Sequence, residues 1–519
     1  MKLKDVPPQA LAAALLFLAY PPASLVVPSF CALVPFLWIL EQDARKDARK
    51  DAYDVSRSRV LRVFFVGYWF GVWANGVVMY WIIVALFHFT PLSAVGYVAA
   101  VGIVLAPMWG IVSWAYLRVR TRTTIPAWVA FPLIWTAVEF LQAHLSDVRF
   151  PWLGLGSSLV RFPVLVQWAD LAGARGVTLW LAWANVMVYV ALRDRQRAWR
   201  PLGLLAATIL VALGYGAWRE RTLVMRPVTT VAVIQPNIGF EEKRNDRERD
   251  TLALQMIALT RRAEQTPGVR LVAWPEAVLE GYFVNKPDWP RWIGVVARES
   301  NIPILAGGLD VDFYPDGTYD YYNAAFLFDT TGSYTRQPSY RKTYLVPIVE
   351  RVPFVNPKWF GDLKWFGGFG HGQRFPVYQI REGRFGVVIC YESAFENLTR
   401  DYRSRGADFV VNITNDSWFG RTAAPYQHAS HLQMRAIETR MGVARAAITG
   451  ISEFVDPLGY VHGATQLDVL HIGAEVVKTT DVRTLYVRLG DWVALLASIG
   501  ALACLLASHL RKHLSGATA

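Results

Sequence analysis

The chain has 519 residues, 53% of them hydrophobic and only 18% charged, with 21 tryptophans; such a composition excludes an ordinary soluble protein. Much of its formal charge of +12 falls in short loops between apolar runs, which argues against a nucleic-acid groove and for a membrane protein with cytoplasmic basic loops. Three cysteines cannot make a disulfide framework, and with Cys31 and Cys504 inside apolar runs, Cys390 is the one thiol of the more polar part of the chain.

Apolar residues concentrate at 9–218 and 490–508. A helical crossing needs about 20 mostly apolar residues. On that measure spans are predicted near 7–21, 23–40, 63–87, 93–117, 125–143, 175–192, 201–218 and 490–509. The first is short, follows Lys2 and Lys4 and ends at Pro21-Pro22, which a signal peptide would also show. A second apolar run begins at once and favours a helical hairpin. With the N-terminus in the cytoplasm, eight spans place the basic loops at 45–62, 118–122 and 193–200 and the tail Arg511-Lys512 on the cytoplasmic side. The connections 88–92 and 144–174, and all of 219–489, then lie outside. The second connection carries Phe150-Pro151-Trp152-Leu153 and reads equally as a dip into the outer leaflet or as interhelical packing. Glu139, inside the fifth span, is costly in hydrocarbon and is expected to face the bundle interior.

From about 229 the pattern becomes short β-rich runs separated by turns and amphipathic helices. Strands are predicted at 231–235, 271–274, 302–306, 324–328, 384–390 and 408–412, a charged helix near 243–265, another near 425–441, and a last pair of strands around 443–462. This alternation indicates a layered α/β domain. The organisation is a seven-span membrane domain at 1–218, an extramembrane catalytic domain at 219–489, and a final span with a cytoplasmic tail at 490–519.

Three places in the extramembrane domain offer reactive side chains. Trp274-Pro275-Glu276 follows a buried strand, whose end the proline marks. Tyr340-Arg341-Lys342 leads a polar loop into Leu345-Val346-Pro347. Phe385 to Ile389 is an apolar strand that ends at Cys390. Singly each has a bland reading: a solvated or capping Glu, a surface Lys, a buried Cys acting as a small hydrophobe. Together they have a chemical logic. A thiol is a strong nucleophile only as thiolate and needs a base or a cation nearby. Glu276 would take its proton. Lys342 would stabilise first the thiolate and then an oxyanion, helped by a strand-end amide such as that of Tyr391. His371, His428 and His431 are available, yet none sits at a strand end. No metal-ligand spacing or phosphate-binding glycine loop is present, so no cofactor is expected.

The order and spacing of Trp274-Pro275-Glu276, Tyr340-Arg341-Lys342 through Val346-Pro347, and Ile389-Cys390-Tyr391-Glu392 resemble the nitrilase superfamily. With seven spans before the domain and one after, the whole chain is similar to its membrane-bound branch, the bacterial apolipoprotein N-acyltransferases. Phe150 to Leu153, Tyr322-Asn323, Glu350 and Asn415 to Gly420 look like further family segments. The resemblance implies an eight-span α-helical membrane bundle with an inserted α/β, nitrilase-like αββα sandwich domain, in the bacterial inner membrane with the catalytic domain periplasmic. It implies that Cys390 takes an acyl chain from a glycerophospholipid as a thioester and passes it to the α-amino group of a diacylglyceryl-cysteine on an apolipoprotein. Glu276 would be the base and Lys342 the charge stabiliser. Glu350 would orient Lys342 or the amine, Tyr391 and Glu392 would shape the acyl site, and Trp418 would belong to a mobile substrate loop. Asn323 and Trp152 would support substrate binding. Two places depart from the family pattern: Lys243 is followed by Arg244, and Thr449-Gly450-Ile451-Ser452 replaces an Asn-Asn-Gly type of turn. A tethered amidase acting on a small soluble substrate, or a lipid-binding transporter or sensor without catalysis, are the competing readings.

Overall fold

The structure, a computed structural model, describes residues 6–48, 57–87, 92–239, 242, 249–354 and 368–516. Arg49, Lys50, the link 88–91, and the Lys243-Arg244 departure lie outside the described residues. The chain divides into two compact units, Met1–Arg221 with Leu489–Ala519, and Thr222–Arg488.

In the first unit six helical stretches are long and apolar enough to cross a membrane: Val26–Arg45, Val60–Val78, Ser93–Arg122, Ala169–Arg193, Trp199–Thr222 and Trp492–Leu510. The remaining two predicted spans coincide with shorter apolar helices, Val6–Ala19 and Ala127–Ala143. The run at 23–40 is not one straight helix. It breaks between Val26–Cys31 and Val34–Ala48, and Asn185 satisfies the backbone there, accepting from Leu33 N at 2.8 Å and donating to Ser29 O at 3.0 Å. Such side-chain repair is what permits a helix break away from water.

Glu139 faces the interior, as expected for an acid in an apolar helix. It accepts from Arg175 Nη1 at 2.5 Å, from Thr178 Oγ1 at 2.7 Å and from the amide of Leu155 at 3.0 Å. The acid is therefore paired and also ties down the connection at 144–174. In that connection Trp152 is buried against Trp81, ring centroids 5.1 Å apart, which is interhelical packing.

The second unit holds two six-stranded sheets. The first has the order β12-β1-β2-β3-β4-β5, with β1 Arg226–Gln235, β2 Val269–Ala273, β3 Ile304–Phe313, β4 Tyr319–Phe328, β5 Tyr340–Arg341 and β12 His471–Thr479. The second has the order β11-β10-β9-β8-β7-β6, with β6 Tyr378–Gln379, β7 Arg384–Ile389, β8 Phe409–Thr414, β9 Gly442–Ala447, β10 Glu453–Val455 and β11 Val461–His462. Strands β1, β2 and β3 run parallel, as do β7, β8 and β9. Parallel strands are covered on both faces and read as continuous apolar runs; all six residues of β8 are buried.

Helices Arg249–Glu264 and Asp288–Ser300 pack Leu252, Met256, Trp289 and Ile293 onto the first sheet. Helices Glu396–Ser404 and Ala424–Thr439 pack Leu398, Tyr402 and Leu432 onto the second. The two sheets meet between these layers, where Tyr378 Oη donates to Ala325 O at 3.1 Å and Ser452 Oγ to Gln235 Oε1 at 2.7 Å. The layering is α/β/β/α. Strand β12 was not predicted: it lies at a sheet edge, mixes exposed and half-buried positions, and pairs with β1 across more than 200 residues of chain.

Candidate active site

Parallel strands gather functional groups at their carboxyl ends. Here β2 leads to Glu276, β7 to Cys390 and β8 to Asn415, while Lys342 follows the short edge strand β5. Each is fixed locally. Trp274 is fully buried and its indole N–H donates to Thr260 Oγ1 at 2.9 Å, anchoring the chain two residues before Glu276. Lys342 N donates to Asn323 O at 2.8 Å, and Gly372 N donates to Lys342 O at 2.8 Å.

Cys390 directly follows β7 with φ +52°, in the left-handed region that costs a side-chain-bearing residue about 1–3 kcal/mol and persists where surrounding structure enforces it. The strand predicted to include Cys390 stops at Ile389, and the thiol opens a 3-10 turn, Cys390–Ala394. Glu392 enforces this turn. It is fully buried; Oε2 accepts from Ile389 N and Tyr340 Oη, both at 2.7 Å, and Oε1 from Thr343 N at 2.6 Å and Tyr344 N at 3.1 Å. All four contacts are made to the end of β7, to β5 and to the loop after it, so both carboxylate oxygens of Glu392 are committed to the frame around the turn. It locks the Lys342 loop to the Cys390 turn. Burial pushes its carboxyl up to about 7.

Glu276, Asn323, Lys342 and Glu350 form one buried cluster. Lys342 has no exposed surface; its Nζ lies 2.8 Å from Glu350 Oε1 and 3.2 Å from Glu276 Oε1. Asn323 Nδ2 donates to Glu276 Oε1 at 2.6 Å and to Glu350 Oε1 at 3.3 Å. The second oxygen of Glu276 accepts from Asn415 N at 2.7 Å, and that of Glu350 from Val346 N at 2.8 Å. Burial alone would lower the Lys342 pKa, but Glu276, Glu350 and Cys390 outweigh it and hold it well above the ordinary lysine value. Burial first, then the Glu276 charge, raises the Cys390 thiol well above its ordinary value, with Lys342 opposing. The thiol thus feels both the acid and the ammonium, a set of groups able to exchange one proton and to stabilise an oxyanion.

Tyr391 is buried and its ring meets Phe395 edge-on, centroids 5.1 Å apart; Phe395 stacks on Tyr344 at 4.1 Å. Trp418 is half-buried, stacked on Phe419, and its indole N–H donates to Asn415 O. His371, His428 and His431 lie outside the Glu276–Lys342–Glu350 cluster. Among the described residues no group of three or more His, Cys, Asp or Glu is arranged to hold a metal. Sequence reasoning missed the amide of Asn415 on Glu276. The signal was present, because Asn415 directly follows an all-buried strand, but only Trp418 of that segment had been assigned.

The fold and this constellation define a carbon–nitrogen-hydrolase type of domain, and residues 230–473 match the family model described as carbon-nitrogen hydrolase. Residues 12–187 match the model described as apolipoprotein N-acyltransferase N-terminal domain. The apolipoprotein N-acyltransferase of Geobacter metallireducens is 30% identical, covering 97% of this chain and 95% of that one. That of Brucella melitensis is 28% identical over 88% of this chain and 86% of its own. The chain belongs to the apolipoprotein N-acyltransferase family.

Proposed function

We propose that the protein transfers a fatty acyl chain from a glycerophospholipid to the α-amino group of a diacylglyceryl-cysteine at an apolipoprotein N-terminus, through a thioester on Cys390. The observation that carries this reading is the fully buried Lys342, shared between Glu276 and Glu350 and charged beside a thiol at a strained strand end. The names of the relatives support acylation of a lipoprotein amine.

In the first half-reaction Glu276 takes the thiol proton as Sγ adds to the ester carbonyl. Lys342 and the Tyr391 amide stabilise the oxyanion. The C–O bond then breaks, Glu276 returns the proton to the departing alkoxide, and lysophospholipid leaves. In the second half the neutral amine attacks the thioester, Glu276 accepts its proton, and as the C–S bond breaks Glu276 passes that proton to the departing sulfur, returning the thiol and the carboxylate. Glu350 holds Lys342 in place. Asn323 orients Glu276, and its Oδ1, without a partner among the described residues, supplies an acceptor for the amine. Tyr391, Phe395 and Tyr344 form an apolar wall that keeps water from the thioester, and Trp418 belongs to the substrate loop. Trp152 supports the outer connection of the membrane domain.

Both substrates are lipid-anchored, which gives a membrane platform its purpose. The distribution of basic loops supports eight spans with both termini cytoplasmic and 219–489 on the opposite side, which in the bacterial inner membrane, the location the family resemblance implies, is the periplasm.

Intact mass after incubation with phospholipid tests the proposal. The wild type should gain one acyl chain, removable by hydroxylamine, and Cys390→Ala should gain none. A wild type that gains no acyl mass while hydrolysing a small amide would make the tethered amidase the correct reading.

A further inference from the structure

The turn Thr449–Ser452, one of the two departures from the family pattern, packs over a buried polar cluster that the transfer chemistry above leaves unused. Asp416, 2% exposed, follows the end of β8. Its Oδ1 accepts from Thr414 Oγ1 at 3.0 Å and from the Nδ1–H of His428 at 2.8 Å, and its Oδ2 accepts from Arg445 Nη2 at 2.8 Å. Arg445, on β9, also donates to Asn412 Oδ1 at 2.5 Å and to Ile451 O, within the turn, at 2.9 Å. A Cβ on Gly450 would lie 2.2 Å from Asp416 Oδ2, so the turn closes over the carboxylate only because residue 450 has no side chain. Ser452 ties the other side of the turn to Gln235.

Between Thr414 and Asp416 stands Asn415, whose N–H holds Glu276 Oε2 at 2.7 Å. The cluster therefore clamps both neighbours of the one backbone amide that orients the base. Thr414 also acts on the Cys390 thiol, lowering its pKa against the effect of burial. A buried carboxylate–guanidinium pair is poor insurance for stability alone, because well-packed apolar replacements often do as well or better. Its use here is directional.

We infer that Asp416 is a positioning residue of the transfer: gripped by Arg445 and His428 and roofed by Thr449–Ser452, it fixes the end of β8 so that Asn415 holds the base and Thr414 faces the sulfur. This deepens the proposed function and rests on it for the roles of Glu276 and Cys390 and for the identity of the acyl donor.

The charged groups facing the sulfur are Glu276 after β2, Lys342 after β5 and Asp416 after β8, with Glu392 two residues along the same turn. Asp416 and Glu276 both add to burial in raising the thiol pKa, and Lys342 opposes them. Removing the Asp416 charge should therefore make the thiol easier to ionise while making transfer slower. Damage to packing alone would slow transfer without easing ionisation.

The test uses the full chain in detergent micelles with two readouts: the pH midpoint of iodoacetamide alkylation at Cys390, located by peptide mass, and acyl-enzyme formation from phosphatidylethanolamine. Asp416→Asn should lower the midpoint by roughly half a pH unit or more and slow acylation on the order of 10- to 100-fold. Gly450→Ala, which changes no charge, should slow acylation to a similar extent. Folded Asp416→Asn and Gly450→Ala proteins that acylate at the wild-type rate would overturn the inference, as would slow acylation with an unmoved midpoint in Asp416→Asn. Should Asp416→Asn not fold, Thr414→Val carries the test. A raised midpoint with slow acylation supports the inference, and wild-type values of both overturn it. If even the wild type takes no acyl chain from phospholipid, the donor assignment fails, and acylation of Cys390 by a small activated ester then carries the same comparison of wild type with Asp416→Asn and Gly450→Ala.

Discussion

The ammonium of Lys342 lies nearer to Glu350, at 2.8 Å, than to Glu276, at 3.2 Å. The difference fits the two duties proposed for them: Glu350, braced by the Val346 amide, for the standing ion pair, and Glu276, braced by Asn323 and Asn415, for proton transfer.

Glu350→Gln should therefore leave Lys342 leaning on Glu276 alone. Acyl-enzyme formation is expected to fall about 100-fold, and stability by about 3 kcal/mol, the cost of removing one partner from a buried pair. Single-turnover mass spectrometry and thermal unfolding in the same detergent measure both. A variant with wild-type kinetics would remove Glu350 from the reaction.

Gly307, on β3, backs the Glu276 loop: a Cβ there would stand 2.2 Å from Pro275 O and 2.9 Å from Glu276 Cα. Gly307→Ala should push the base out of line and cut the acylation rate about 100-fold, although no polar group is changed. Unaltered acylation by a folded variant would mean that the loop yields without disturbing Glu276.

In the membrane unit, Glu139→Leu should strand the Arg175 guanidinium and the Leu155 amide that Glu139 now satisfies. A loss of about 3–5 kcal/mol is expected, read as a fall in unfolding temperature. The double variant Glu139→Leu/Arg175→Met should recover part of it, because no uncompensated charge remains. If the single and double variants melt alike, the pair is not what holds the connection at 144–174.

Acid should expose the Asp416 pair. Burial would raise this carboxyl, but Arg445 and His428 outweigh it and hold it down at about 2, below its ordinary 3.8. A depressed carboxylate contributes stability above the unfolded pKa and loses it as pH falls through the folded one. The wild type should thus out-melt Asp416→Asn by a margin that is full above pH ~4 and shrinks by about 2 kcal/mol toward pH ~2. A margin that does not change with pH would contradict the ionised pair.

Much of the site was legible because its chemistry is carried by residues next to strong local punctuation. Pro275 stops a buried strand before Glu276, and an apolar run ends at Cys390. Glu350, expected to orient Lys342 or the amine, lies 2.8 Å from the Lys342 ammonium. The framework role of Glu392 had no local signal: its four backbone and hydroxyl donors come from β5 and the loop after it, 48 to 52 residues earlier, as well as from the end of β7. Strand β12 escaped for a similar reason, since its half-exposed edge pattern carries no periodic signal and its partner β1 is remote in sequence.

By itself the sequence determined the division into an apolar helical part and a layered α/β part, the alternation of strands and helices, and which acid, amine and thiol stand at strand ends, because hydrophobic periodicity and turn chemistry act over a few residues. Only the tertiary structure decided that Lys342 is dry and shared by two carboxylates, that Cys390 sits at φ +52°, and that Asn415, Asp416 and Gly450 converge behind the base. Those relationships depend on which loops meet across two packed sheets, and packing brings together groups whose separation along the chain carries no local trace.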